Sequence, residues 1–306
     1  MKALVDEPQS ADAAAAAPAP RAKAQQSALI LFNVKAGGVV AADREKLTAI
    51  ATEHFSRFEI VDLEKLTPAI FKRSTKFDLM VVLGGDGTAR SVAEQAPNNA
   101  PPLILLPGGT LNVLPRALYG ELAWPEALSA ALERGKLTRL SMGKANGEPF
   151  FVAAIFGAPT LLARVREAVR EHEYGKAIRR ARHFIKRSFA RGIRARPGSG
   201  AMRKAEAIGV LCPSYSGKVE GDDLEWVRLD ARSMIDLVRL GLRSMGEGWR
   251  NDPAIELHRC QRGDVVSLGL IPATLDGEPK TFVSRVRITF QRKGPKVIAL
   301  EAEEGK

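Results

Sequence analysis

The chain has 306 residues, 45% of them hydrophobic and 26% charged, the composition of a soluble globular protein with one large or two ordinary domains. No run approaches the roughly 18 uninterrupted apolar residues of a membrane-spanning helix, and two cysteines, Cys212 and Cys260, exclude a disulfide framework and read as apolar filler in a reducing compartment. The net charge of +11 is local: residues 161–204 carry fourteen Lys or Arg against three Glu, so the rest of the chain balances.

Residues 1–27 are rich in Ala, Pro and Gln, carry Asp6, Glu7 and Asp12, and lack an apolar core, which predicts a disordered tail and not a signal peptide. Ala28–Asn33 reads as a first strand, and Ala41–Phe55 as a helix with apolar positions at Leu47, Ile50, Ala51 and Phe55. A second strand over Phe58–Asp62, a short helix near Pro68–Arg73 and a third strand over Asp78–Leu83 follow. A helical pattern over Ala89–Ala96, a fourth strand over Leu103–Leu106 and a helix over Trp124–Arg134, stopped by Gly135, complete the alternation. Strands alternating with helices predict a parallel sheet covered on both faces, a Rossmann-like three-layer α/β domain over residues 28–137. Ligands of such sheets sit beyond the carboxyl ends of the strands, where this chain has three glycine-containing loops: Asn33–Gly38, Gly84–Thr88 and Pro107–Asn112.

From about Lys136 the pattern changes. Phe150–Phe156, Glu206–Cys212, Leu224–Leu229, Ile255–His258, Asp264–Leu270 and Thr281–Phe290 read as strands, separated by turns such as Asn146-Gly147 and Asp276-Gly277. This predicts a mostly antiparallel, β-rich, sandwich-like domain over residues 138–290, with helical insertions over Leu161–Arg191 and Arg232–Met245.

Gly84-Gly-Asp-Gly-Thr88 runs from a strand into a helix. Glycines let backbone approach a bulky anion, and the free N–H groups of the following helix favour negative charge. Within such a cradle Asp86 is electrostatically out of place unless it binds a cation, contacts a hydroxyl or takes a proton. A dinucleotide fingerprint would need a glycine near Val92, and a Walker-type loop would need Gly-Lys-Ser/Thr; neither is present. Read alone, Asp276-Gly277-Glu278 is a hairpin turn.

Asn33-Val-Lys-Ala-Gly37, Gly84-Gly-Asp-Gly-Thr88, Pro107-Gly-Gly-Thr-Leu-Asn112 and Asp276-Gly-Glu278 together resemble, in order and spacing, the diacylglycerol kinase catalytic-domain family, which includes bacterial lipid kinases and sphingosine kinases. The resemblance covers roughly residues 28–300. It implies transfer of the γ-phosphoryl group of ATP to a lipid hydroxyl, with ATP and Mg²⁺ required. By position, Asn33, Gly37, Gly84, Gly85, Gly87, Thr88, Gly109 and Thr110 would contact ATP, and Asn112 would hold the nucleotide loop in shape. Asp276 and Glu278 are implied as the general base and its surroundings, with Asp86 competing for the role at the hydroxyl. The β-rich domain would accept the lipid, Asp222 in Glu220-Gly-Asp-Asp-Leu224 would match a Mg²⁺ site, and residues 291–306 would return to the first domain.

The chain also departs from the family. Arg90-Ser91 stands where many members have Asn-Glu, Val113 where many have Asp, and Ser141 where an Asp often opens the second domain. Arg90 is expected to contact an anion. Ile178, Ala181, Ile185 and Phe189 follow helical spacing, with Arg179, Arg180, Arg182, Lys186 and Arg187 between them. This basic amphipathic pattern within 161–204 suits an anionic membrane surface, so the protein is expected to be cytoplasmic and peripheral at the inner membrane face. No nucleic-acid motif accompanies the charge, and the four histidines show no ligand spacing. Two other readings remain: a non-catalytic nucleotide- or lipid-binding regulator, and an NAD kinase-like enzyme.

Overall fold

The computed structural model of the chain describes residues 26–157, 192–216, 219, 221–229, 250 and 255–300. The expected tail up to residue 25, the helices expected over 161–191 and 232–245, and Glu220 lie outside the described residues.

Six strands form the first sheet: β1 (Ser27–Phe32), β2 (Arg57–Asp62), β3 (Leu79–Gly84), β4 (Leu103–Pro107), β5 (Lys136–Arg139) and β16 (Lys296–Ala299). Their order is β2-β1-β3-β4-β16-β5, with β5 alone antiparallel to its neighbour. Ala28–Leu31 and Met80–Leu83 are almost wholly buried. Such continuous apolar runs are what strands need when helices cover both faces. Five helices provide the cover: α1 (Asp43–His54), α2 (Pro68–Ser74), α3 (Asp86–Gln95), α4 (Val113–Tyr119) and α5 (Trp124–Arg134). α1 touches α5, and α3 touches α4. Because β1 lies between β2 and β3, the connections leaving β1 and β3 diverge. A crevice opens there at the carboxyl ends, the usual ligand site of an open α/β sheet.

α4 was not anticipated from sequence, because Pro115 lies inside it. A proline in the first helical turn lacks an N–H that would have no intrahelical acceptor anyway, so the turn tolerates it. The end of the chain is tied to α4: Tyr119 Oη donates to Ile298 O at 2.8 Å, and Leu300 N–H donates to Leu118 O at 3.1 Å.

The second sheet is antiparallel and built from β6 (Met142–Ala145), β7 (Glu148–Phe150), β8 (Ala153–Gly157), β9 (Ile193–Pro197), β10 (Arg203–Ala205), β11 (Ala207–Leu211), β12 (Leu224–Leu229), β13 (Ile255–Cys260), β14 (Arg262–Leu275) and β15 (Glu278–Gln291). It forks at β14, whose residues Gly263–Val266 pair with β9 and Ala273–Leu275 with β8. Its core includes Phe150, Phe156, Trp226, Val265, Phe282 and Val286. Asn146-Gly147 and Asp276-Gly277 take φ values of 51° and 92°, and 49° and 88°. Two consecutive left-handed residues make the tight turn that matches strand twist. The strand expected over Phe150–Phe156 is broken at Phe151–Val152, because these residues give their N–H groups to the Asp276 carboxylate instead of a neighbouring strand.

Candidate active site

The loops after β1, β3 and β4 meet backbone to backbone. Gly38 N–H donates to Gly108 O at 3.0 Å, and Gly108 N–H donates to Gly84 O at 2.9 Å. A Cβ on Gly108 would stand 2.7 Å from Val39 Cγ2 and 2.9 Å from Gly84 O, and one on Gly109 would stand 2.9 Å from Gly85 Cα. A Cβ on Gly84 would meet the Thr88 side chain at 2.9 Å. These glycines let the loops touch. Gly85 and Gly87 differ, because the nearest atoms to an added Cβ are 3.7 Å and 3.4 Å away. They leave the crevice lining bare, with the opening turn of α3 directly behind, whose N–H groups have no intrahelical acceptors.

Side chains fix this arrangement. Asn33 Nδ2 donates to Thr88 Oγ1 at 2.8 Å, and Lys35 N–H donates to Asn33 Oδ1 at 3.0 Å, joining the first loop to α3. Asn112, at φ 52°, accepts from Gly109 N–H at 2.6 Å and donates to Gly109 O at 3.0 Å, closing the third loop on itself. Thr110 is exposed at the tip of that loop, and a Cβ on Gly37 would lie 3.4 Å from its Oγ1. The structure thus brings together Asn33, Gly37, Gly84, Gly85, Gly87, Thr88, Gly109, Thr110 and Asn112.

Asp86 is engaged by the protein itself. Its Oδ2 accepts from Asn112 N–H at 2.8 Å and its Oδ1 from Val113 N–H at 2.5 Å, so it ties the Gly84–Thr88 loop to the start of α4. The acid that is out of place beside phosphate is therefore held against two backbone donors of the third loop.

The hairpin turn of β14 and β15 reaches the same crevice from the second domain. Glu278 is exposed, and its Oε1 lies 3.4 Å from where a Cβ of Gly87 would be. Asp276 is only 4% exposed and accepts from Phe151, Val152 and Ala153 N–H at 2.7, 2.8 and 2.9 Å. Burial pushes its carboxyl above the ordinary range, opposed by the three N–H groups and by the charge of Arg90. Arg90 is itself buried, donates through Nη2 to Pro149 O at 3.1 Å, and has no partner for Nε among the described residues. The charge of Arg90 is thus felt by Asp276 of the other domain.

The remaining positions lie elsewhere. Asp222 is exposed: its carboxylate pairs with Arg292 at 3.2 Å and its carbonyl accepts from Gln261 at 2.9 Å, and neither partner belongs to the glycine loops. No group of three or more His, Cys, Asp or Glu that could hold a metal exists among the described residues. Ser141 is wholly buried. It accepts from Gly221 N–H at 3.2 Å and donates to Arg292 O at 3.4 Å, a donation that an ionised Asp could not make. Sequence reasoning missed the Phe151–Ala153 amides, which carry no side-chain signal. The burial of Arg90 had a faint one, its place in the stripe of Ala89, Val92 and Ala93 along α3.

The diacylglycerol kinase catalytic-domain family model matches residues 27–145. This part of the chain is similar to that family's catalytic domain. The matched residues contain all three glycine loops, whereas the Asp276–Glu278 turn lies outside them. A candidate diacylglycerol kinase of known structure from Bacillus anthracis matches with a TM-score of 0.67 and 18% identity, over 91% of this chain and 98% of its own. A second structure from that organism, described as a diacylglycerol kinase, matches with a TM-score of 0.61 and 16% identity over the same shares. These likenesses extend the shared fold across both domains. No curated protein matches the chain by sequence. No described helix is long and apolar enough to cross a membrane.

Proposed function

We propose that the protein transfers the γ-phosphoryl group of ATP to the hydroxyl of a lipid. The observation that carries this reading is the meeting of three glycine loops with an acidic turn from the second domain. The bare backbone of Gly85 and Gly87 and the start of α3 suit a polyphosphate. Asn33 and Asn112 keep the loops in register for it. Phosphoryl transfer needs mainly positioning and charge stabilisation, so a rigid backbone cradle is suitable equipment.

In the reaction the lipid oxygen bonds to the γ-phosphorus, the bond to the ADP oxygen breaks, and the hydroxyl proton must leave. Asp86 and Asp276 are already held by backbone N–H groups, whereas Glu278 stands exposed beside Gly87. Glu278 is therefore the acid best placed to take that proton. Magnesium, when bound, would neutralise phosphate charge. The described residues form no protein cage for it, and Mg²⁺ commonly relies on one or two carboxylates with the phosphates themselves.

The test is incubation of the full chain with γ-labelled ATP, Mg²⁺ and a lipid extract in mixed micelles. Label extracted with the lipid supports the reading, and label confined to the aqueous phase refutes it. The structural engagement of both Asp86 and Asp276 favours one second reading, a regulator that binds ATP without turnover. Calorimetric ATP binding with no labelled lipid would select it.

A further inference from the structure

The outer face of β9, β14 and β15 carries a feature that phosphoryl transfer does not use. Leu270 and Val283 are register partners there, 53% and 69% exposed, and Leu268 beside them is 93% exposed. The pairing shifts between Val266 and Leu270, and Ser284 opposite takes φ 58°, so the strands bulge where these side chains emerge. Single exposed leucines are ordinary, but three adjoining apolar side chains on a sheet face form a patch.

Beside the patch lies a cluster of arginines. Asp264 is flanked by Arg196 at 2.8 Å, Arg285 at 3.0 Å and Arg287 at 4.0 Å, so one buried acid sits under three guanidinium groups. The Nε of Arg196 has no partner among the described residues. Arg194, the register partner of Val266, adds another exposed cation between cluster and patch. Excess positive charge around exposed apolar side chains matches a surface that is negative outside and hydrocarbon beneath. Guanidinium forks also suit phosphate oxygens.

We propose that this face docks the protein onto an anionic phospholipid membrane, with Leu268, Leu270 and Val283 entering the headgroup boundary and Arg194, Arg196, Arg285 and Arg287 meeting lipid phosphates. The basic stretch expected to do this was 161–204, and the described end of it supplies Arg194 and Arg196. The patch lies on the same hairpin as Glu278, and Leu270 is about 17 Å along β14 from the turn at the usual strand rise.

Flotation with vesicles tests the proposal without reference to catalysis. The full chain should bind phosphatidylcholine vesicles containing phosphatidylglycerol, bind pure phosphatidylcholine vesicles far less, and detach as salt rises. Leu268→Glu should lower the partition constant by about tenfold or more, as expected for removing one buried leucine from the interface. Leu137→Glu, at a 62% exposed position on β5, should leave it unchanged. Equal binding to both vesicle types, or equal losses in both variants, overturns the proposal. So does a change of oligomeric state in Leu268→Glu without vesicle binding by the parent, which would make the face a protein interface. Activity in detergent micelles would persist in Leu268→Glu, so this proposal and the kinase reading fail separately.

Discussion

Asp276→Asn separates architecture from chemistry at the turn that enters the active site. Asparagine tolerates the left-handed backbone at φ 49°, so the substitution strains no torsion. Its single oxygen can keep the Val152 and Ala153 N–H groups, which both bond Asp276 Oδ1. The amide NH₂ then faces Phe151 N–H, which now bonds Oδ2 at 2.7 Å. One buried donor left unsatisfied costs about 1–3 kcal/mol. Arg90 loses the attraction of the Asp276 charge as well. A loss of about 1–3 kcal/mol lowers Tm by roughly 2–12 °C. Scanning calorimetry at neutral pH checks this. Arg90→Met combined with Asp276→Asn should destabilise less than the sum of the two, because the first change removes the charge that the second strands. An unchanged Tm with turnover abolished would refute the reasoning and make Asp276 a chemical group.

Burial raises the Asp276 carboxyl above its ordinary 3.8, so the native state holds that proton more tightly than the unfolded chain. Its contribution is full below 3.8 and declines as pH rises through the raised value, a decline that Asp276→Asn should lack in thermal melts across pH. Glu256 works in the opposite sense: its hydrogen bond to Arg228, with His258 and Arg203 nearby, lowers its carboxyl from 4.5 to about 2. That stability is present above 4.5 and lost as pH falls toward 2, so Glu256→Gln should flatten the acid limb of an unfolding titration. Asp86→Ala removes the acceptor for Asn112 and Val113 N–H and should cost about 1–2 kcal/mol, a capping loss readable in denaturant melts. Gly108→Ala should abolish ATP binding in calorimetry, because its Cβ would lie 2.7 Å from Val39 and 2.9 Å from Gly84 O. Gly85→Ala, with 3.7 Å of clearance, should keep the wild-type Tm and weaken ATP binding only through the cradle surface.

Much of the first domain is legible because its strands are continuous apolar runs and its loops carry glycines. Ala28–Asn33 and Leu103–Leu106 lie within a residue of β1 and β4, and Trp124–Arg134 coincides with α5. α4 was hidden by Pro115, and the break between β7 and β8 by an acceptor 125 residues away in sequence. The loops of the site were readable from residue types. The partners of Asp86 and Asp276 were not, because backbone N–H groups leave no mark in a sequence. Arg90 was readable as an anion seeker, but only the packing of α3 against the second domain brings its charge to bear on Asp276.

The most direct measurement of the central claim is mass spectrometry of a defined lipid alcohol before and after incubation with the full chain, ATP and Mg²⁺, with ADP counted in the same sample. The account predicts that the lipid gains one phosphoryl group for each ADP formed and that Glu278→Gln suppresses both together. ADP formed without phosphorylated lipid, or no ADP from folded protein that binds ATP, would contradict it.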